Sequence, residues 1–92
     1  MIVSALRSFT TAPFWRLFAE LPAEVQDLAI EKYELFKQDP HHPSLGFKAK
    51  GRVWTIDIGR SYRAIALRHE NDLSRFWIGS HEDYNHVLKR LK

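Results

Sequence analysis

The sequence predicts an α+β domain in which helices pack on a mainly antiparallel sheet of four or five strands. Three observations carry this. From Phe14 to Phe36 apolar side chains recur every three or four positions, the spacing of a buried helix face. From Leu45 to Ile78 the pattern changes to alternation broken by Gly and polar turn residues, as in strands. Helical spacing then returns from Tyr84 to Leu91.

Taken in order, Ile2 to Leu6 is a short strand-compatible run. Thr10 or Thr11 caps a helix with Pro13 in its first turn, and Phe14, Leu17, Phe18 and Leu21 line one side of it. Pro22 with Glu24 marks a second helix start, and Val25, Leu28, Ala29, Tyr33, Leu35 and Phe36 share one stripe, so the two helices form an antiparallel hairpin. Ile30 lies off that stripe, which suits either an ordinary exposed apolar residue or a partner contact.

Pro40 and Pro43 forbid helix across residues 38–44. Leu45, Phe47 and Ala49, then Trp54, Ile56 and Ile58, alternate with their neighbours and give two antiparallel strands around a Lys50-Gly51 turn. After a turn at Gly59-Arg60-Ser61, Tyr62 to Arg68 and Leu73 to Ile78 make a further hairpin through residues 69–72, ended by Gly79-Ser80. From His81 a last helix places Tyr84, Val87, Leu88 and Leu91 on one stripe, with Lys89, Arg90 and Lys92 near its negative dipole end. The order is β-α-α-β-β-β-β-α.

Ninety-two residues suit one domain spanning 1–92 with one core. The chain has no cysteine, which removes disulfides and thiolate metal sites and fits a reducing cytoplasm. Its start lacks a secretory signal pattern and no stretch is apolar enough to cross a bilayer, so a cytoplasmic protein without membrane contact is expected. Formal charge is +3, and its distribution matters more than its size. Glu20, Glu24, Asp27, Glu31 and Glu34 gather in the first half, whereas Lys48, Lys50, Arg52, Arg60, Arg63, Arg68 and Arg75 crowd the middle. The second half carries the anion-binding face.

No phosphate-binding glycine loop, HExxH or calcium loop is present. His41 and His42 are adjacent, so their side chains diverge on an extended backbone and no further ligand stands at metal spacing; no metal or other cofactor is expected. Near the strand ends, Lys48, Lys50, Arg52, Arg60 and Arg63 supply charge for phosphates, and His81 supplies a group that exchanges protons near neutral pH. A solvated basic face with a capping histidine would have the same composition.

Three segments, residues 39–48, Ile58-Gly59-Arg60-Ser61-Tyr62-Arg63-Ala64, and Phe76-Trp77-Ile78-Gly79-Ser80-His81-Glu82-Asp83-Tyr84, occur in an order and spacing that resembles the RelE/ParE toxin superfamily, within it the RelE, HigB and YafQ-like toxins. The resemblance covers nearly the whole chain. It implies a helical hairpin on a sheet, an antitoxin protein encoded in the same operon, and a type II toxin acting as a metal-independent endoribonuclease. Such toxins cut messenger RNA in the ribosomal A site and so repress translation. The RNA's own 2′-hydroxyl is the nucleophile, so a base must take its proton, an acid must protonate the leaving 5′-oxygen, and fixed cations must hold the charge on phosphorus.

By this resemblance Arg63, which follows a tyrosine at a strand start, is the phosphate-stabilising arginine, with Arg60 beside it. His81, after Gly79-Ser80, stands where some members carry a catalytic histidine and is the candidate general acid or base. Tyr84, one turn later, stacks on a base, helps proton transfer, or is simply a core aromatic. The two strand lysines of RelE itself are replaced within Trp54 to Asp57, leaving Lys48, Lys50 and Arg52 to bind RNA phosphates from the neighbouring hairpin. Two other functions share the fold or the charge: ParE-type poisoning of DNA gyrase, which needs no nuclease residues, and non-catalytic binding of nucleic acid.

Overall fold

The computed structural model describes residues 6–91. Its order is β1 (Arg7–Thr10), α1 (Ala12–Ala19), α2 (Ala23–Gln38), β2 (Lys48–Lys50), β3 (Val53–Ile58), β4 (Tyr62–His69), β5 (Asp72–Ser80) and α3 (His81–Leu91), with one 3₁₀ turn at Pro43–Leu45. The strands form one sheet in the order β1-β5-β4-β3-β2, antiparallel except where β1 runs parallel to β5. This is the expected α+β arrangement. Among the described residues no helix is long and apolar enough to cross a membrane.

Several boundaries differ from the sequence reading. The strand expected at Ile2 to Leu6 falls outside the described residues except for Leu6, which is not in a strand; β1 begins at Arg7. Lys92 also lies outside them. Thr11 does precede α1, but its hydroxyl donates to the Arg75 carbonyl at 3.3 Å instead of capping the helix. Leu45 belongs to the 3₁₀ turn and not to a strand, because Pro43 fixes the turn's first φ and Gly46 ends it with a left-handed φ of 55°. Gly79 and Ser80 continue β5 instead of ending it.

Both faces of the sheet are covered, so the two alternating sets of β3 side chains each meet a helical layer. Trp54, Ile56 and Ile58 turn toward the helical hairpin, where Ile58, Ala64 and Ile78 meet Phe14, while Phe36 and Leu45 meet Ala66 and Leu73. Val53 and Ile65 turn the other way and are roofed by Tyr84, Val87, Leu88 and Leu91 of α3. Leu45 and Ile65 are wholly buried. Each such side chain contributes roughly 1.5–3 kcal/mol of transfer free energy.

One irregularity decides where two large side chains go. Ile65 pairs with Trp77 while Ala66 pairs with Arg75, so Phe76 is an extra residue in β5. Without this bulge, period-two alternation would put Trp77 and Arg75 on one face. With it, Trp77 lies under α3 and Arg75 turns to the hairpin, over the rings of Phe14 and Tyr33.

Candidate active site

The candidate site forms where the start of β4, the end of β5 and the start of α3 meet. The turn before β4 depends on Gly59, which has a φ of 65° and on which a Cβ would stand 2.8 Å from Leu28 Cδ2. This packs the turn against α2 and fixes the register in which Arg63 faces Asp57 on one side and Gly79 on the other.

Arg63 is held tightly. Its Nε lies 2.9 Å from Asp57 Oδ1, with side chains 18% and 30% exposed, and its Nη1 donates to the carbonyls of Tyr62 at 2.9 Å and Arg60 at 3.5 Å. Gly46 leaves room for the Asp57 carboxylate, and Gly79 leaves room for the Trp77 ring. A Cβ on Gly46 would stand 2.5 Å from Asp57 Oδ2, and one on Gly79 would stand 2.6 Å from the Trp77 ring.

His81 opens α3. Its N–H donates to the Ser61 carbonyl at 2.7 Å, tying the helix to the turn that precedes Arg63, and Ser80 caps the helix by accepting from the Asp83 N–H at 3.2 Å. The His81 ring is exposed and lies over Tyr84, with centroids 5.8 Å apart and planes 27° apart. Arg63 Cζ lies 6.0 Å from the same Tyr84 ring. The tyrosine thus forms a common floor for the histidine and the arginine. Glu82 and Asp83 in the first turn stabilise the positive helix end but repel an incoming anion there.

Tyr84 itself is 5% exposed, packed with Val53 and Ile65 and 6.5 Å from the Trp77 ring. Little of its surface is open for a base to stack on, and both rim side chains rest against it. Arg60 is exposed on the turn.

The remaining cations stand apart from this cluster. Lys48 and Lys50 pair with Thr55 and Val53 in the edge strand β2, so they share the sheet face that carries Asp57 and Arg63. Lys50 and Arg52 line a groove of about 510 Å³ with Asn85, Leu88 and Lys89, toward the far end of α3. The cationic face therefore runs along α3, from Arg60, Arg63 and His81 to Lys50, Arg52 and Lys89. His42 acts only locally, where its Nδ1 accepts from the Ser44 N–H at 3.1 Å and caps the 3₁₀ turn.

Sequence reasoning did not single out Asp57, Lys89 or the packing role of Gly79. The three-residue turn at 59–61 contained the signal for Asp57, because closing it pairs Ile58 with Tyr62 and so Asp57 with Arg63.

A family model for the ParE-like toxin domain matches residues 23–86, a stretch that contains α2, the four antiparallel strands, Arg63, His81 and Tyr84. The chain belongs to the ParE-like toxin domain family. This ParE-like domain has the fold of solved toxin structures. A mutant Escherichia coli RelE toxin in the free state superposes with a TM-score of 0.66 at 17% identity, over 96% of this chain and 99% of that one. The toxin-antitoxin complex RelBE2 from Mycobacterium tuberculosis gives 0.64 at 10% identity, over 84% and 99%. The archaeal RelE-RelB complex from Pyrococcus horikoshii gives 0.60 at 14% identity, over 83% and 94%. No curated protein is similar enough in sequence to count as a relative.

Proposed function

We propose that this ParE-like domain is the toxin of a toxin-antitoxin pair, bound and silenced by an antitoxin protein, and that its free form cuts messenger RNA on the ribosome. The family model supports the toxin reading, and the toxin-antitoxin complexes among its structural neighbours support the partner. The nuclease reading rests on one observation: an exposed histidine and a fixed arginine share the Tyr84 floor at the end of a cationic face.

In the proposed reaction the RNA 2′-oxygen attacks the adjacent phosphorus, the P–O5′ bond breaks, one proton leaves the 2′-hydroxyl and one reaches the departing 5′-oxygen. His81 serves one of these two proton transfers. Arg63 holds the non-bridging oxygens as charge builds on them. Lys48, Lys50 and Arg52 hold flanking phosphates without reading bases. The products then carry a 2′,3′-cyclic phosphate and a 5′-hydroxyl.

End-mapping of messenger RNA from a purified translation system checks this, with cuts in the A-site codon and those two termini as the expected result. The Asp57 carboxylate on Arg63, which offsets the very charge a phosphate needs, favours a second reading in which the domain poisons DNA gyrase instead. Intact messenger RNA with gyrase-linked DNA breaks would establish that one.

A further inference from the structure

A half-buried cation without a counter-ion among the described residues stands on the opposite face of the sheet. The Arg75 guanidinium lies 4.1 Å from the Tyr33 ring centroid and 5.1 Å from that of Phe14. Its Nε is buried with no hydrogen-bond partner, and none of the ion pairs among the described residues includes it. Burial pulls its pKa below the ordinary value, opposed in part by Tyr33. Folded proteins pair such charges, because an unpaired one gives up hydration for nothing.

Arg75 lies in the wall of a groove of about 600 Å³ between the helical hairpin and the sheet, whose other lining is largely apolar and includes Phe47, Trp54 and Tyr33. Three large apolar side chains on the lining of this groove are exposed: Phe9 at 48%, Trp15 at 51% and Ile30 at 55%. They come from β1, α1 and α2, so the apolar rim spans three elements, and clustered exposure of this kind marks an interaction surface. Ser8, Phe9 and Thr10 of the edge strand β1 form one wall, which suits a chain lying along the groove.

We infer that this groove seats a segment of a partner protein, an apolar stretch interrupted by one Asp or Glu whose carboxylate pairs with Arg75. The apolar residues match the rim, and the carboxylate supplies the missing counter-ion. On the toxin reading this partner is the antitoxin; only the partner's identity rests on that reading. The groove lies across the sheet from Arg63 and His81, so a segment seated in it does not itself touch the candidate active site.

The test is selection of a random dodecapeptide library on the purified full chain, with parallel selections on Arg75→Met and Ile30→Glu, both checked for folding by circular dichroism. The expected winners carry one acidic residue within an apolar run and are lost on Ile30→Glu. Their acid-to-amide versions bind the parent chain about tenfold or more weaker, the effect of removing one close charge pair, yet bind Arg75→Met no differently from the acids. Acid-free winners, an acid preference that survives in Arg75→Met, or the absence of any winner sensitive to Ile30→Glu would overturn the inference. So would winners that bind only after residues 1–5 are removed, which makes the chain's own start the occupant, or a concentration-dependent dimer abolished by Ile30→Glu, which makes it a second copy. Growth arrest relieved by a co-expressed antitoxin equally well in both variants sinks the groove and leaves the toxin reading. Acid-bearing winners from a chain that arrests no growth do the reverse.

Discussion

Asp57 and Arg63 face each other across β3 and β4, joined Oδ1 to Nε at 2.9 Å. The pair orients the guanidinium and at the same time offsets its charge. Exposure of 18% and 30% leaves it partly screened, so its worth is that of a surface pair, about 1 kcal/mol or less.

Asp57→Asn separates the two effects, because the amide oxygen still accepts from Nε while the negative charge is gone. Affinity for messenger-RNA-loaded ribosomes should rise by up to roughly fivefold, the equivalent of that energy. Asp57→Ala also removes the charge but loses the orientation as well, so single-turnover cutting at saturating ribosomes should slow relative to Asp57→Asn. Titration of cutting rate against ribosome concentration distinguishes them, and an Asn variant that binds no tighter would show that the carboxylate does not restrain Arg63.

Lys48, Lys50 and Arg52 act, on the proposed function, as point charges on single-stranded RNA. Each alanine variant should weaken binding to all sequences alike and flatten the plot of log affinity against log salt by about 0.7. Fluorescence anisotropy at several salt concentrations measures this. A change in cutting-site preference instead would mean that one of these side chains reads a base.

How far the sequence disclosed this arrangement depended on the range of the interaction. Helical spacing from Phe14 to Phe36 and the turn glycines are local signals, and they gave the element order correctly. The face assignments at the end of β5 were not legible, because the extra residue at Phe76 reverses which side Arg75 takes and nothing in the residue types announces a bulge. Arg63 and His81 were legible as candidates through their motifs. Their relation to Tyr84 was not, since it depends on α3 packing across Val53 and Ile65.

Gly79 tests that packing directly. An alanine Cβ there would stand 2.6 Å from the Trp77 ring, which is confined beneath α3, so ring or strand must shift. Overpacking of this kind costs about 1–3 kcal/mol, and Gly79→Ala should lower Tm by several degrees. Thermal unfolding followed by near-ultraviolet circular dichroism reports both the loss and the displaced indole.

Arg75→Met should have the opposite effect on stability. A base whose folded pKa is lowered is penalised in its charged form at every pH below that value, so the cost is fully present across the neutral range and is relieved only in strong alkali. Burying an unpaired polar group costs about 1–3 kcal/mol, and the stacking on Tyr33 and Phe14 returns about 0.5–1 kcal/mol each. The isolated variant should therefore be more stable by about 0.5 kcal/mol and melt slightly higher, with a difference that does not vary between about pH 5 and pH 9. A lower Tm would mean that the cation is already compensated.

His81→Ala separates the nuclease from its rivals, because cleavage, gyrase poisoning and passive binding place different demands on one proton. The His81 ring is exposed and rests on Tyr84, so its removal leaves the helix start, held by the backbone bond to Ser61 and by Ser80, intact. Single-turnover cutting of ribosome-bound messenger RNA should fall about 10²- to 10⁴-fold, the usual range for general acid-base catalysis, while ribosome binding persists. Arg63→Ala should slow cutting by roughly 10² or more through lost charge stabilisation, and Arg63→Lys should restore only part of it, since lysine cannot keep one nitrogen on Asp57 while offering others in a fixed plane to phosphate. If His81→Ala arrests growth undiminished while messenger RNA stays whole and gyrase-linked breaks accumulate, the cationic face is a docking surface for gyrase and not a nuclease.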